Sequence, residues 1–477
     1  MTIIIETPDT RAPERDYILG VVLVDFLGLD WQRVPSVRED TRITVQDHSG
    51  EIRMPDILLQ TRDEDWLTHR SLPSRPLPVW DTAEPGLPVT LVDQYLPVIY
   101  GDSHPGLQTQ GPGPDSESST INHSQLTHHI PLDIFGAAFF MLTRYEEVVK
   151  SDRDEHDRFP AWASLAFQEG FLERPIIDEY VEVLWAAMKH LWPGLKRKPR
   201  EFAVKVSHDV DGPSRYGFKT PWKLIRAMGG DVLKRMDFAS ALRAPWIRAY
   251  TKTRLHPKDP ANTFDWIMDV SERHGLTSAF YFMCGQTDPA KDGEYDIGHP
   301  AIRSLMKNIH RRGHEIGLHP SYGTYNRPDL IAQEAGYLKT ICAEENISQP
   351  LWGGRMHFLR WQTPITMHGW EQAGMDYDST LSFADQVGFR CGTCHEYPAF
   401  DVVEAKPLKL LIRPLIAMEC TVMGEKYMGL GTGRTAMETF LRLRQACKVV
   451  NGTFTLLWHN TELPGESERN FYLQLLK

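Results

Sequence analysis

From residue 201 onward, short apolar runs alternate with longer stretches in which apolar residues recur three and four positions apart. The short runs predict buried strands, and the longer stretches predict amphipathic helices. The predicted strands are 202–206, 278–283, 315–318, 350–355, 408–415 and 453–458. The predicted helices are 263–274, 300–312, 328–345, 364–373 and 435–450. Because strands and helices alternate, we expect a mainly parallel sheet or barrel with helices outside it.

The first part of the chain has a less regular pattern. Its predicted elements are a helix that enters a strand at 16–30, strands at 42–46, 57–59 and 96–100, and helices at 131–147 and 175–191. Residues 100–129 are polar and rich in Gly, Pro and Ser, which predicts a loop or a flexible flap. A basic stretch with Pro and Gly, 193–200, is the predicted linker. We therefore expect an α/β accessory domain at 1–198 and a second domain at 199–477.

Side chains able to carry out chemistry follow several predicted strands. They are His208, Asp209, Asp211, His319, Arg355, His357 and His459. The first three belong to the stretch Ser-His-Asp-Val-Asp-Gly-Pro at 207–213. Asp-Gly-Pro is also common in turns, so this stretch alone leaves a solvated turn and a catalytic site both open. The carboxyl ends of parallel strands share one rim, so the whole set predicts a catalytic site there.

Composition and charge narrow the class of protein. The formal charge of −11 argues against a general nucleic-acid binder. No apolar run approaches the roughly 20 residues that span a bilayer, and the amino terminus lacks the pattern of a secretory signal. Six cysteines among 477 residues do not predict a disulfide framework. We therefore expect a cytoplasmic protein with reduced thiols.

Cysteine spacing adds one further pattern. Cys391-Gly-Thr-Cys394-His395 matches the attachment pattern of c-type haem. Covalent haem attachment requires export, and we expect none for this chain. A structural or incidental role for the two cysteines is therefore the favoured interpretation.

The segment between residues 214 and 258 is strongly basic. It contains eleven Lys or Arg and two Asp, together with Trp222, Trp246 and Tyr250. Because it follows the 207–213 stretch, we expect it to lie over the rim of the site. One hypothesis is that it recruits an anionic partner, such as a sugar nucleotide, a lipid-linked sugar or the membrane surface. The alternative is a pair of solvated basic helices.

The motifs at the strand ends resemble those of the polysaccharide deacetylases with a NodB-type domain, which form carbohydrate esterase family 4. The resemblance covers about residues 201–460. The 207–213 stretch resembles the family motif Thr-Phe-Asp-Asp-Gly-Pro, which implies that Asp209 is the catalytic base and Asp211 a metal ligand. Here Val210 separates the two carboxylates, whereas they are adjacent in the family.

Three further motifs carry the resemblance. The sequence Gly-His-Glu-Ile-Gly-Leu-His at 313–319 implies that His319 is the first histidine ligand, but Gly323 stands where the family has the second. Arg355 resembles the arginine that holds the base. His459, at the end of Leu-Leu-Trp-His, resembles the general acid.

A third metal ligand is expected from elsewhere, because zinc usually takes three protein ligands and keeps one open position. The candidates are His208 and His357, and we favour His357 because it lies at another predicted strand end. The residues that we expect near the substrate are His208, Tyr322, Asp378 and Arg390.

The resemblance implies a distorted (β/α) barrel at 199–477, with a divalent metal, expected to be zinc, as cofactor. It implies a hydrolase that acts on C–N bonds other than peptide bonds. The simplest reaction is N-deacetylation of a carbohydrate during synthesis of bacterial surface polysaccharide such as O-antigen. Two alternatives remain open: a metal-free C–N hydrolase on the same barrel, as in allantoinase-like relatives, and a non-catalytic carbohydrate-binding or scaffold protein. The first part of the chain resembles an uncharacterised domain that precedes such catalytic domains in a bacterial subgroup.

Overall fold

The structure is a computed structural model that describes residues 1–83, 87–102 and 127–477. Most of the polar loop predicted at 100–129 lies outside these residues. The strands are β1 Ile3–Pro8, β2 Trp31–Ser36, β3 Asp40–Val45, β4 Glu51–Pro55, β5 Val79–Asp81, β6 Tyr95–Pro97, β7 Thr127–His129, β8 Ala203–Val210, β9 Ser278–Met283, β10 Glu315–His319, β11 Gly353–Gly354, β12 Tyr377–Asp378, β13 Tyr397–Asp401, β14 Lys406–Ile412, β15 Ala417–Met418 and β16 Thr453–Leu457.

Helices occupy the sequence between these strands. They are α1 Ala12–Leu19, α2 Ile134–Leu142, α3 Tyr145–Val149, α4 Leu165–Gln168, α5 Ile176–Leu191, α6 Pro221–Leu233, α7 Phe238–Tyr250, α8 Phe264–Arg273, α9 Pro300–Arg311, α10 Pro328–Glu344, α11 Ile365–Gln372, α12 Glu419–Met423, α13 Arg434–Val449 and α14 Glu466–Leu476. In the described part of the chain, no helix combines the length and apolar character needed to cross a membrane.

The larger sheet has nine strands in the order β13-β14-β12-β11-β10-β9-β8-β16-β15. All its pairings are parallel except β13 with β14. Every residue of β9 is buried, as expected for a parallel strand with both faces covered. The mixed α/β class is therefore confirmed. Within the described ranges no pairing joins β13 to β15, so the expected barrel is not closed by hydrogen bonds.

The amphipathic helices predicted after residue 201 are present with nearly the predicted bounds. Helix α9 buries Ile302, Leu305, Met306 and Ile309, which lie three or four residues apart, and contacts β10. Its polar side chains face outward. Such helices cover the sheet and leave its carboxyl-end rim free for polar residues.

The first part of the chain forms a second sheet, with the order β2-β1-β3-β4-β7. The single helix predicted at 131–147 is two helices, α2 and α3, because Arg144 between them has a left-handed backbone with φ of 56°. The prediction of a strand at 57–59 was wrong. A single 3-10 turn, Leu58–Gln60, is found there, and Asp133 accepts hydrogen bonds from its first backbone N–H groups.

Buried contacts connect the two parts of the chain. The Glu147 carboxylate accepts hydrogen bonds from Arg144 and from Arg390, at 2.8 and 2.6 Å. Asp178 accepts hydrogen bonds from the Thr393 hydroxyl at 2.6 Å and the Cys394 backbone N–H at 2.9 Å. One hydrophobic cluster includes residues from both parts. The core is therefore continuous across residues 198 and 199.

Candidate active site

Strand β8 determines which way the residues of the 207–213 stretch face. The strand continues to Val210, further than the sequence predicts, so adjacent side chains point to opposite faces of the sheet. Ser207 and Asp209 share one face and both contact Arg355. His208 points to the other face. Asp211 follows directly after the strand and lies at the rim.

Three side chains converge at this rim. The Asp211 Oδ1 atom lies 3.2 Å from His319 Nε2 and 3.6 Å from His357 Nε2. Candidate ligand atoms of the three residues all lie within 4.8 Å of one another. His319 ends β10, and His357 begins a 3-10 turn just after β11. The structure thus brings together the three residues that the sequence suggested as metal ligands.

Each of the two imidazoles has an oxygen atom next to its Nδ1, on the side away from Asp211, and this oxygen influences which ring nitrogen carries the proton. His319 Nδ1 lies 2.6 Å from the backbone oxygen of Arg355, and His357 Nδ1 lies 3.2 Å from the carboxylate of Asp292. If each Nδ1 donates to its oxygen, each Nε2 presents a lone pair towards Asp211. Asp211 Oδ1 and His319 Nε2 are buried and lack a hydrogen-bond partner among the described residues. Two acceptor atoms that face each other in this way favour a cation between them.

The charges of the cluster shift the pKa values of its members. Burial would raise the pKa of Asp211, but the charges of His357, His319 and His459 lower it far below its usual range. Burial would lower the pKa of His319, but the charges of Asp209 and Asp211 raise it. Without a cation, a proton on His319 can compensate for the charges of Asp209 and Asp211.

Gly323 does not take part in this cluster. It lies in the 3-10 turn Tyr322–Thr324, where its backbone N–H donates to the Thr287 hydroxyl at 2.7 Å. A side chain at this position would first meet Thr287, at 3.1 Å from the added Cβ. The third side chain of the cluster is His357, which comes from a different strand end.

Asp209 is held by the buried guanidinium of Arg355. Arg355 Nη1 donates to Asp209 Oδ1 at 2.8 Å, and Nη2 donates to the Ser207 hydroxyl at 2.8 Å. Two further N–H groups of Arg355 donate to the backbone oxygen and the hydroxyl of Ser379. The second carboxylate oxygen of Asp209, Oδ2, lies 3.8 Å from His319 Nε2 and so borders the cluster. The guanidinium leaves this oxygen available as a base.

His459 lies on the other side of Asp211 and is held by Glu419. Its Nε2 is 3.6 Å from Asp211 Oδ2, and its Nδ1 is 2.6 Å from Glu419 Oε1. Glu419 also accepts a hydrogen bond from the His459 backbone N–H at 2.8 Å. Burial would lower the pKa of His459, but the charge of Glu419 raises it well above its usual range. The Glu419 carboxylate next to Nδ1 thus favours the protonated imidazole, whose Nε2 can act as a proton donor.

Glu419 and Asp292 were not among the residues selected from the sequence. Glu419 directly follows β15, so the rule that selected the other strand ends also applies to it, but a two-residue strand is hard to recognise. Asp292 lies in the loop after β9. Its two carboxylate oxygens accept hydrogen bonds from the backbone N–H groups of Thr287, Asp288 and Tyr322, each at 2.7 Å. No local pattern in the sequence indicated that role.

His208 lies away from the cluster, in contrast to the expectation. It is fully buried, with Nδ1 2.6 Å from the Trp458 backbone oxygen and Nε2 3.2 Å from the Ser278 hydroxyl. Its ring stacks on Phe280, and burial lowers its pKa to about 3. It can neither supply a metal ligand nor contact substrate in this position.

Asp378 and Arg390 are also buried away from solvent, so the expectation that they contact substrate is not met. Asp378 accepts a hydrogen bond from the Thr380 backbone N–H at 2.8 Å, and burial raises its pKa to about 7. Arg390 is paired with Glu147 and donates to the Ser382 backbone oxygen at 2.7 Å. Both side chains are satisfied by partners within the protein.

Tyr322 remains at the edge of the site. It is partly exposed, its hydroxyl lies 3.0 Å from His156 Nδ1, and its ring packs edge-on against Phe358. Phe358 in turn packs against the ligand candidate His357. His156 belongs to the first part of the chain, which thus contributes directly to the rim. This aromatic group can form a wall for a substrate.

A cleft of about 400 Å³ opens beside Asp211. Its lining includes Asp292, Phe218, Lys219 and Lys223. The cleft joins the cluster of ionisable groups to the basic segment that follows β8. Lys219 and Lys223 are both paired with Glu294, at 2.9 and 2.6 Å, and Glu294 lines the same cleft.

Comparison with known proteins gives partial matches. A family of unknown function, DUF7033, matches residues 3–193. The search of curated proteins found no match. Among solved structures, a protein described as a putative polysaccharide deacetylase from Mycobacterium smegmatis is 16% identical with a TM-score of 0.38, and the match covers 58% of this chain and 83% of that one.

Two further solved structures are similar at the same level. Puue allantoinase is 12% identical with a TM-score of 0.34, over 60% of this chain and 84% of that one. A protein described as a probable polysaccharide deacetylase from Pseudomonas aeruginosa PAO1 is 14% identical with a TM-score of 0.34, over 60% and 85%. Similarity at this level does not establish a shared activity.

Proposed function

We propose that the protein is a metal-dependent hydrolase that cleaves the C–N bond of an amide. The observation that carries this proposal is the convergence of Asp211, His319 and His357 between two further groups suited to proton transfer. One group is the Asp209 carboxylate and the other is the His459 imidazole. If each Nδ1 donates to the oxygen that faces it, two imidazole lone pairs face one carboxylate, which a structural ion-pair network would not need.

The donor set suits a divalent cation, and zinc in particular. One carboxylate and two imidazoles give three protein ligands, and Zn²⁺ in catalytic sites usually has three, with one position open. The oxygen and nitrogen atoms without hydrogen-bond partners, Asp211 Oδ1 and His319 Nε2, lie where such a cation would bind. A divalent cation supplies Lewis acidity towards a carbonyl oxygen and lowers the pKa of water.

The protein groups supply the two proton transfers of amide hydrolysis. Asp209, oriented by Arg355, accepts a proton from the attacking water as a C–O bond forms at the acyl carbon. His459, kept protonated by Glu419, donates a proton to the nitrogen as the C–N bond breaks. The products are a carboxylic acid and a free amine, so no oxidant or further reactant is needed.

We propose that the amide is the N-acetyl group of a sugar, and that the reaction belongs to the synthesis of a bacterial surface polysaccharide such as O-antigen. The motif resemblance supports this substrate class, and the cleft beside Asp211 is open enough for part of a saccharide. The excess of Lys and Arg over Asp between residues 214 and 258 favours an anionic substrate, such as a nucleotide-linked or lipid-linked sugar. We further propose a cytoplasmic location, with residues 1–198 as accessory domain and 199–477 as catalytic domain.

The experiment is metal analysis of the full-length protein, paired with an assay of acetate release from N-acetylglucosamine oligomers. We expect about one divalent cation per chain, loss of acetate release on chelation, and recovery on adding zinc back. His357→Ala should lose the metal, whereas Asp209→Asn should retain it and lose activity. His48→Ala is the matched control, because His48 is exposed and lies in the first part of the chain.

Three results would contradict the proposal, each in its own way. Acetate release that survives complete chelation would indicate a metal-free hydrolase. A bound saccharide that is never turned over, with affinity unchanged in Asp209→Asn, would indicate a carbohydrate-binding or scaffold protein. Retention of the full metal content in His357→Ala would refute the proposed ligand set.

A further inference from the structure

Helices α6 and α7 form a hairpin beside the cleft. They pack on each other through a small core of Leu224, Ala244 and Ile247, which also includes Tyr216. The faces turned away from this core carry large apolar side chains that are exposed. These are Trp222, Ile225, Leu233, Met236, Phe238, Leu242, Trp246 and Tyr250.

Helix α7 reverses the usual arrangement of an amphipathic helix in a globular protein. Phe238, Leu242, Trp246 and Tyr250 are four residues apart, so they form one stripe along its outer face. The inner face carries small residues such as Ala244. Single exposed apolar residues are ordinary, but a continuous stripe of this size marks a surface that binds a partner.

The same hairpin carries a dense positive charge. Eleven Lys or Arg and two Asp lie between residues 214 and 258, in a chain with a net charge of −11. One of the two Asp residues, Asp231, is buried and is paired with Arg215 and Arg235. Seven cations have no ion-pair partner in the part of the chain that the structure describes: Arg226, Lys234, Arg243, Arg248, Lys252, Arg254 and Lys258.

We propose that this hairpin docks the protein on an anionic membrane surface. Apolar and aromatic side chains beside unpaired Lys and Arg are the features of helices that lie in the membrane interface. The apolar stripe can enter the boundary between headgroups and acyl chains, and the cations can contact anionic headgroups. A second copy of the chain is a poorer partner, because a symmetric contact would place two equally basic hairpins against each other.

If the hairpin contacts the membrane, the cleft beside Asp211 lies near the lipid surface. The inference about the substrate that follows rests on the proposed function. Lys219 lies just before helix α6, and Lys223 lies in its first turn. Both also line the cleft beside Asp211. A docked hairpin therefore brings the cleft close to the lipid surface. The substrate is then a saccharide attached to a membrane lipid, and docking presents its amide to the cluster.

The experiment is flotation of the full-length protein with vesicles of phosphatidylcholine alone or with about 30% phosphatidylglycerol, at low and high salt. We expect binding only to the anionic vesicles, and weaker binding at high salt. Leu233→Ser combined with Leu242→Ser removes two of the most exposed side chains, at 81% and 83% exposure, and should weaken binding at least about tenfold. Lys234→Glu combined with Arg243→Glu should weaken it at least about tenfold as well, since each cation contributes about fivefold.

Matched controls are exposed residues far from the hairpin in sequence. Val37→Ser removes a fully exposed apolar side chain, and Lys409→Glu reverses an exposed cation. We expect neither to change vesicle binding. Equal binding to neutral vesicles, or unchanged binding of either hairpin variant, would overturn the proposal.

Two further measurements distinguish membrane docking from a dimer interface and from a direct effect on the reaction. Light scattering measures the oligomeric state of the wild type and of the Leu233→Ser/Leu242→Ser variant. A dimeric wild type and a monomeric variant, neither of which binds vesicles, would overturn the proposal in favour of a dimer interface. The hairpin variants should release acetate from soluble oligomers at the wild-type rate. Because vesicle binding is measured without turnover, failure of docking and failure of the proposed reaction are distinguishable.

Discussion

Asp292 is not a candidate metal ligand, yet we expect Asp292→Asn to weaken metal binding. The side chain is fully buried, and its two oxygens divide five hydrogen bonds between them. Oδ2 accepts from the backbone N–H groups of Thr287 and Asp288 and from the Thr287 hydroxyl. Oδ1 accepts from the Tyr322 backbone N–H and faces Nδ1 of His357.

An amide in place of this carboxylate retains the shape but only one acceptor oxygen. That oxygen is expected to take the position of Oδ2, because three donors point there. The amide NH₂ then faces His357 Nδ1, which must accept the hydrogen bond, so the imidazole proton moves to Nε2. Nε2 is the atom directed at Asp211, and a protonated nitrogen cannot bind a metal. Outer partners of ligating histidines typically contribute 10–100-fold to affinity, or about 1.4–2.7 kcal/mol.

The assay is competition for zinc between the protein and a chelator of known affinity, followed by metal analysis of the separated protein. Asp288→Asn is the matched control, because Asp288 lies in the same loop and, among the residues that the structure describes, its carboxylate accepts only from the Ala290 backbone N–H. We expect wild-type affinity for this control. Zinc affinity of Asp292→Asn within twofold of the wild type would refute the role assigned to the Asp292–His357 contact.

Three further predictions concern buried charged side chains. Arg355→Met leaves the buried Asp209 carboxylate without its partner and should lower the free energy of unfolding by about 3–5 kcal/mol in urea titrations. Glu419→Gln removes the charge that keeps His459 protonated, so kcat for acetate release should fall about 100-fold at pH 7 while metal content stays unchanged. Burial raises the pKa of Asp178 from 3.8 to about 6, so its contribution to stability is complete below pH 4 and is lost as the pH rises through 6. In Asp178→Asn the fall in unfolding free energy between pH 4 and 7 should therefore be smaller than in the wild type, by about 2–3 kcal/mol.

Each of these predictions has a control within the chain. Asp209→Asn combined with Arg355→Met should cost less than the sum of the single changes, and strict additivity would argue against the ion pair. Loss of metal in Glu419→Gln would show a structural effect in place of a role in proton donation. Parallel stability profiles of wild type and Asp178→Asn from pH 4 to 7 would show that this carboxyl has no raised pKa in the folded state.

The pattern of apolar residues predicted much of the second part of the chain. Strand β9 has the predicted bounds, and the strand-end rule brought Asp209, Asp211, His319 and His459 to one rim. The rule could not tell which side of a strand each residue occupies. His208 was misplaced because β8 was predicted to end at residue 206, whereas the pleat continues and sends this side chain to the opposite face.

Other errors came from contacts between residues far apart in sequence. Arg390 lies between the predicted helix 364–373 and the predicted strand 408–415 and looks available for a ligand, but Glu147 pairs with it from 243 positions away. Asp292 is an ordinary loop aspartate in sequence, and only the fold places it behind His357. The sheet class depends on local apolar patterns, whereas the supporting groups of the site depend on tertiary contacts that no local pattern encodes.

The Glu147–Arg390 pair also limits how this chain can be recombined. An exchange of residues 3–193 for a different domain would remove the carboxylate and leave a guanidinium enclosed without a counter-charge, at a cost of about 3–5 kcal/mol. It would also remove Asp178, the acceptor for Thr393 and Cys394. A penalty of this size is a large fraction of the stability of an ordinary domain. The first region is therefore expected to be inherited together with its own second region, and functional chimeras should be confined to pairs that carry both halves of these buried contacts.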